Sequence, residues 1–326
     1  MAVEIALLGA GRMGSLHART LTRTHGAHLS VVIDPDPARA EALAAEVGAA
    51  WNTSLDDCAE LDRCAAVLIA APTSTHHSLT LELLRRGKHV LVEKPMAATS
   101  AQAAEMRDAA AAAGKLLAVG HVERFNPVCS ELVRYVNAPL FVQSHRLSPF
   151  ELRGMDGVIL DLMLHDIDIV TAFDSSQVST VTAEAVTSRS ATEDLAVCTM
   201  RLESGLVCQF NVSRISQRKV RTMQVTLQDS VIDTDLLMHT MTISRDTTGM
   251  LIEGGNRRYR QHTVTEVPYM SGGEPLALEL RDFIDAVTDG RPPMIDAEIG
   301  LQAILRCELV AEAAARSTEA WTGSAS

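Results

Sequence analysis

The sequence predicts an α/β chain in two parts, a doubly wound parallel sheet followed by an α+β domain with an open, largely antiparallel sheet. Three observations predict it. Short β-branched runs alternate with alanine-rich helical stretches over the first 120 residues, a glycine-rich turn follows the first of those runs, and from Ser179 to about Val267 strand-like runs succeed one another without long helices. The first pattern is that of a parallel sheet covered on both faces, and the last is that of antiparallel pairing.

In the first part, strands are predicted over Val3–Leu8, His28–Asp34, a short stretch near Ala50, Ala65–Ala71, His89–Glu93 and Leu116–Val119. Helix signals lie between them. Asp36 is a capping residue with Pro37 at the first helical position, and Gly48, Gly87 and Gly114 each close a helix. Six strands with helical crossovers complete a doubly wound domain, which places one boundary at residue 120 and a second domain over 121–326. That second domain opens with a helix over Pro127–Val136, a strand over Phe141–Leu147 and an apolar helix over Val158–Phe173 that carries acids and a histidine. Two amphipathic helices, Pro275–Thr288 and Ala297–Ala315, follow the strand region, and Thr322–Ser326 reads as a frayed end.

Composition narrows the function. The chain has 326 residues, 47% of them hydrophobic and 21% charged, which suits two folded cores. Its net charge of −12 argues against a nucleic-acid partner, because binding phosphates requires clustered Lys and Arg. The segment Met1–Leu8 includes Glu4 and lacks a basic lead, so it reads as a buried strand. No apolar run approaches the roughly 18 residues of a membrane helix, and a cytoplasmic protein without a membrane partner is expected. Cys58, Cys64, Cys129, Cys198, Cys208 and Cys307 are scattered without zinc spacing, so reduced structural thiols and no metal site are expected.

The turn Gly9-Ala10-Gly11-Arg12-Met13-Gly14 stands between a strand and a helix. In that setting the first two glycines allow a tight turn and close approach to a pyrophosphate, and the third allows the helix to pack on the strand. Amides of the helix N-terminus, those of Arg12 and Met13 among them, then face the anion. This is the signature of a Rossmann dinucleotide site. Asp34 ends the second strand 20 residues beyond Gly14, where a carboxylate takes both ribose hydroxyls of the adenosine and repels a 2′-phosphate. The expected cofactor is therefore NAD.

Glu93-Lys94-Pro95 ends the fifth strand, at the carboxyl edge where such sheets bind ligands. Asp161 and His165 stand four apart on an apolar helix and so share a face. Taken alone, that pair is either a satisfied core pair or a catalytic one. Oxidising a secondary alcohol requires a base for the hydroxyl proton, which suits His165; Lys94 can offset the developing alkoxide, and Asp161 can hold the histidine or a neighbouring hydroxyl. Asp166 and Asp168 read as structural or interdomain.

These pieces, with Ala71–His76 and the closing Pro275–Thr288 helix, give the chain a resemblance to the glucose-fructose oxidoreductase, inositol dehydrogenase and rhizopine catabolism (Gfo/Idh/MocA) family over essentially its whole length. The resemblance implies a cofactor and a sugar substrate meeting between the domains, and a homodimer or homotetramer formed through the C-terminal sheet. It implies that Pro72, Thr73, His76 and Glu93 line the cofactor, that Lys94 touches nicotinamide ribose and substrate, and that His165 is the acid/base. His17 is expected to be packing and His77 to be exposed. Gly120–Pro127 and Asp161–Asp168 further resemble the branch that oxidises the C3 hydroxyl of UDP-N-acetylglucosamine. A free-sugar or cyclitol dehydrogenase and a non-catalytic NAD-dependent sugar sensor stay open as rivals. A nucleotide sugar would need local cations for its diphosphate, and Arg124, Arg146, Arg214, Lys219 and Arg221, with Asn126, are the expected substrate contacts.

Overall fold

The computed structural model of the chain describes residues 2–56, 58–151, 156–253, 256–270 and 272–323. It divides into two compact units, one of Met1–Phe125 with Gly273–Glu308, the other of Asn126–Gly272 with Leu309–Ser326. The first break lies close to the expected boundary at residue 120. The return of 273–308 to the first unit is a departure from the single boundary, and it follows from packing that local periodicity does not encode.

The first unit runs β1 (Val3–Leu8), α1 (Arg12–Leu21), β2 (Ala27–Ile33), α2 (Pro37–Val47), β3 (Ala50–Asn52), α3 (Ala59–Arg63), β4 (Ala66–Ile69), α4 (Thr73–Arg85), β5 (His89–Glu93), α5 (Ser100–Ala113) and β6 (Leu117–Gly120). All its strands are parallel, in the order β3-β2-β1-β4-β5-β6. The order reverses between β1 and β4, and the carboxyl ends of the strands at that switch form the ligand crevice of a doubly wound sheet. Local chemistry explains the helix ends. Asp36 accepts from the amides of Ala38 at 3.0 Å and Arg39 at 3.4 Å, and Gly48 leaves α2 at φ +74°.

The second unit contains α6 (Pro127–Tyr135), β7 (Phe141–Leu147), a π-helical turn over Ile159–Met163, α7 (Leu164–Thr171), β8 (Val178–Val186), β9 (Leu195–Leu202), β10 (Val207–Ser213), β11 (Val220–Thr226), β12 (Ser230–Asp235), β13 (Thr240–Glu253) and β14 (Asn256–Glu266). The single helix expected over Val158–Phe173 is thus a π turn running into a shorter α-helix. Its eight strands are ordered β14-β13-β12-β11-β7-β10-β9-β8, antiparallel except for the central parallel pair β7–β10. Ala196, Cys198, Met200, Cys208, Phe210, Val212, Met223 and Val225 alternate along their strands and are buried on one face.

The chain closes with α8 (Pro275–Asp289), in the first unit, and α9 (Ala297–Gly323). The last helix runs past the expected end at Ala315; residues 324–326 of the expected frayed tail lie outside the described residues. Leu280, Phe283 and Ile284 of α8 join the cluster formed by Ile5, Leu7, Ala18 and Leu21. Burial of each such large side chain contributes about 1.5–3 kcal/mol. All six cysteines are buried and free, and burial pushes the Cys198 thiol up to about 12. No helix among the described residues is long and apolar enough to cross a membrane, and they hold no metal-ligating cluster.

Candidate active site

The residues expected to hold the cofactor gather in the first unit at the carboxyl ends of β1, β2, β4 and β5. Gly9 has φ +96°, and a Cβ there would lie 2.5 Å from the Ala70 carbonyl oxygen; one at Gly14 would lie 1.8 Å from that of Gly9. Both positions therefore exclude any side chain. At Gly11, by contrast, an added Cβ meets nothing within 4 Å. Gly11 is also the N-cap of α1 and has no side chain to cover the first amides. Room at Gly11 beside the first amides of α1 fits the pyrophosphate of a dinucleotide.

Asp34 is 7% exposed. Its Oδ2 accepts from Ala10 N at 2.7 Å and its Oδ1 from Asp36 N at 2.9 Å. The carboxylate thus ties the glycine turn to the end of β2, and a second lone pair on each oxygen is left for hydroxyl donors.

Lys94 is half-buried at the end of β5, where the Lys94-Pro95 peptide is cis. Glu93 supports it: Oε2 accepts from Lys94 N at 3.2 Å, and Oε1 lies 2.6 Å from His17 Nε2. Burial works to raise the Glu93 carboxyl, but the His17 bond and the charges of His17 and Lys94 outweigh it and hold Glu93 below its ordinary value. Four expectations change here. His17 is a partner of Glu93 beyond simple packing. Glu93 faces inward as a brace for the Lys94 loop. His76 is 1% exposed with its ring nitrogens 2.9 Å from the Pro95 and Ala71 carbonyl oxygens, so it braces the cofactor edge and presents no ring atom to a ligand. His77, expected to be exposed, is partly covered and lies 2.8 Å from Glu105 Oε2. Pro72 and Thr73 stand at the start of α4, after the carboxyl end of β4, and Arg124 is half-buried on the 3-10 turn Val122–Phe125.

The second unit holds Asp161 and His165. Asp161 is half-buried on the π turn and His165 is 9% exposed on α7. The π turn is anchored on both sides. At the far end, Asp166 Oδ1 accepts from Arg146 Nε at 2.9 Å and Nη2 at 2.7 Å, and its Oδ2 accepts from Ser144 Oγ at 3.0 Å. At the near end, Val158 N donates to the Glu193 carbonyl at 3.1 Å and Ile159 N to Glu193 Oε1 at 3.2 Å.

Three expected substrate contacts are corrected by this packing. Arg146 is 2% exposed and serves Asp166. Arg214 is 6% exposed and donates to Asp194 Oδ1, the Asp156 carbonyl, Thr192 Oγ1 and the Glu193 carbonyl at 2.8–3.0 Å. Asn126 is 3% exposed, caps α6 through Val128 N and donates to the Leu236 carbonyl. Each is buried because its polar atoms meet protein partners, and none is directed outward. Lys219 is exposed on the β10–β11 loop, and Arg221 is half-buried opposite Arg146 on the same face of the sheet.

Sequence reasoning missed Glu193, Asp194, Gly120 and Glu279. A Cβ on Gly120 would press within 3.3 Å of the Glu93 carboxylate, so that glycine makes room for the Lys94 brace. The signal for the first two was the polar turn Ser188–Asp194, whose residue types favour such turn hydrogen bonds.

A family model described as "Oxidoreductase family, NAD-binding Rossmann fold" matches residues 3–121, and one described as "GFO/IDH/MocA C-terminal domain" matches residues 129–232. The chain is 30% identical over 317 residues to the UDP-N-acetylglucosamine 3-dehydrogenase of Acidithiobacillus ferrooxidans, covering 95% of this chain and 98% of that one. The solved structure of that enzyme superposes with a TM-score of 0.85 at 28% identity, over 96% of this chain and 98% of that one. The scyllo-inositol 2-dehydrogenase (NAD+) of Bacillus subtilis is 26% identical, over 92% and 91% of the two chains. A structure of GenD2 from gentamicin A biosynthesis in complex with NAD shares the fold, with a TM-score of 0.80. With its glycine cradle, its Lys94 strand end and both domains matched, the chain belongs to the Gfo/Idh/MocA family and is an NAD-dependent oxidoreductase acting on hydroxyl groups.

Proposed function

We propose that the chain oxidises the C3 hydroxyl of UDP-N-acetylglucosamine to the 3-keto sugar. The observation that carries this reading is the similarity to the Acidithiobacillus dehydrogenase, which spans 98% of that enzyme at 30% identity. When bound, NAD supplies the hydride acceptor. His165 takes the hydroxyl proton as general base, Lys94 offsets negative charge developing on the oxygen, and Asp161 orients the base or the hydroxyl. Glu93 and His17 hold the Lys94 backbone in place, and Asp34, Gly11 and the α1 amides hold the dinucleotide. With Arg146 and Arg214 committed internally, Arg221 and Lys219 of the second unit are the cations left there for the diphosphate.

The inositol dehydrogenase similarity over 92% of the chain supports a cyclitol as the second reading. A sugar sensor has no use for both Lys94 and His165. The reading also includes a cytoplasmic homodimer or homotetramer. It is supported by four neighbouring uncharged outer-face residues, Thr199, Gln209, Gln143 and Gln224, in a register row that reaches a charge only at Asp233. Light scattering of the purified protein tests the assembly.

The substrate experiment measures NADH formation with UDP-N-acetylglucosamine, N-acetylglucosamine and myo-inositol side by side. Binding energy from the nucleotide should raise turnover as well as affinity, so the free sugar should be a very poor substrate. Equal efficiency on the free sugar or on inositol would overturn the nucleotide-sugar assignment.

A further inference from the structure

The first amides of a helix lack partners within the helix and are usually satisfied by a nearby capping side chain. Here they are met from across the fold. Val158 N and Ile159 N are taken by the carbonyl and the carboxylate of Glu193, at the start of β9. Arg214 holds that acceptor in place through Nη2 on the Glu193 carbonyl, and its Nη1 pins the Asp156 carbonyl just before the helix. Asp194, fully buried, fixes Arg214 and accepts from the amides of Ser188, Arg189 and Ser190. Gly157 completes the fit, because a Cβ there would lie 1.9 Å from Glu193 Oε1.

Between this latch and the Asp166 anchor lies the π turn, one residue wider per turn than the α-helix around it. Such a turn persists only where its surroundings hold both ends. If the near end were released, relaxation to α-helical geometry would shift the register by one residue, and each residue rotates a helix face by about 100°. Asp161 lies within the π turn and His165 just after it, so such a shift would turn their side chains relative to the anchored ends.

We propose that Glu193 and Arg214 are positioning residues for His165, acting as a latch that fixes the π turn and so the direction in which Asp161 and His165 are presented. The role rests on the reading of His165 as the base. A hydrogen-bond acceptor at 193 is the required element; its charge is secondary.

The experiment compares Glu193→Gln, Glu193→Ala, Arg214→Lys, Gly157→Ala, the Gly157→Ala/Glu193→Ala double variant and His165→Ala. It measures kcat, the KM for NAD, and the ring resonances of 13C-histidine-labelled protein, with the His165 signal assigned from its absence in His165→Ala. Glu193→Gln keeps the acceptor for Ile159 N and should stay within about threefold of wild type. Glu193→Ala and Arg214→Lys should lose about 10- to 100-fold in kcat, as misplacement of a reacting group by an ångström does, with the KM for NAD unchanged. They should also move the His165 resonance. Gly157→Ala should be as damaging, but adding it to Glu193→Ala should cost nothing further, because the clashing carboxylate is gone. An unmoved His165 resonance in Glu193→Ala, kcat within twofold of wild type, or multiplying losses in the double variant would overturn the latch. If His165→Ala keeps its turnover while Glu193→Ala still moves the ring signal, the base assignment fails and the latch stands.

Discussion

A guanidinium carries five donors in a fixed fork and does not lose its charge, so a buried one needs a carboxylate beside it. Arg146 satisfies that condition with Asp166, and its removal would leave a buried anion without compensation. Arg146→Met is therefore expected to cost about 3–5 kcal/mol, and adding Asp166→Leu should recover most of the loss. Urea midpoints of the two variants check this, and equal losses in both would count against it. At Asp34 the carboxylate receives the Ala10 amide and, in the proposed reading, also takes the ribose hydroxyls of NAD. Asp34→Ala should weaken NAD binding by about 1.5–3 kcal/mol and abolish any preference over NADP, as titration calorimetry with both nucleotides would show. Equal affinities in the wild type would remove the assignment. The close turn at Gly9 and Gly14 was legible because it depends on local backbone geometry. Arg146 and Arg214 were not, since each finds its acid 20 positions away and nothing nearby in the chain marks the pairing. The alternation of Val142, Ser144 and Arg146 along β7 hinted at an inward arginine, but it fits either face equally well.

Among the elements, the β8–β9 connection works as a rigid part of the second unit. Burial alone would raise Asp194; the amides of Arg189, Ser188 and Ser190 and the Ser190 hydroxyl overcome that and hold its carboxyl well below the usual range. A depressed carboxylate stabilises the fold above its unfolded value, near about 3.9, and that contribution fades as pH falls toward the lower folded value. Asp194→Asn should thus be destabilised by about 3–5 kcal/mol at pH 7. The gap from wild type should narrow steadily below about pH 4, where Asp194 of the unfolded chain begins to protonate while the folded carboxylate stays ionised. Thermal melts of both proteins from pH 7 to pH 3 test this, and a gap independent of pH would show that Asp194 acts through shape alone. The regular elements themselves were readable, since alternating and helical periods differ and Asp36, Pro37, Gly48 and Gly114 mark their ends. The π turn was hidden, because its sequence carries an ordinary helical pattern and its extra residue is imposed by anchors at Glu193 and Arg146.

At the scale of the molecule, the first unit is closed by a helix that arrives from the far end of the chain. α8 brings Leu280, Phe283 and Ile284 to the first core and, with them, Glu279, which is 2% exposed. Burial and the nearby Glu93, Glu274 and Asp282 charges push the Glu279 carboxyl well above its ordinary value. A raised carboxyl destabilises the fold once pH exceeds its unfolded value, near about 4.3. Glu279→Gln, which resembles the protonated form, should therefore melt higher than wild type at pH 8 and nearly level with it at pH 4. A variant that melts lower than wild type at pH 8 would mean that the ionised acid is needed. The two-part fold class was visible from rhythm alone, but this return was not, because docking across such a separation leaves no local mark. It has a consequence in time. On a ribosome adding roughly 5–20 residues per second, α8 emerges about 7–30 s after β6. For that interval the nascent sheet stands with the flank for Leu280, Phe283 and Ile284 uncovered, so the moment of greatest exposure to chaperones and to aggregation is set by the order of translation.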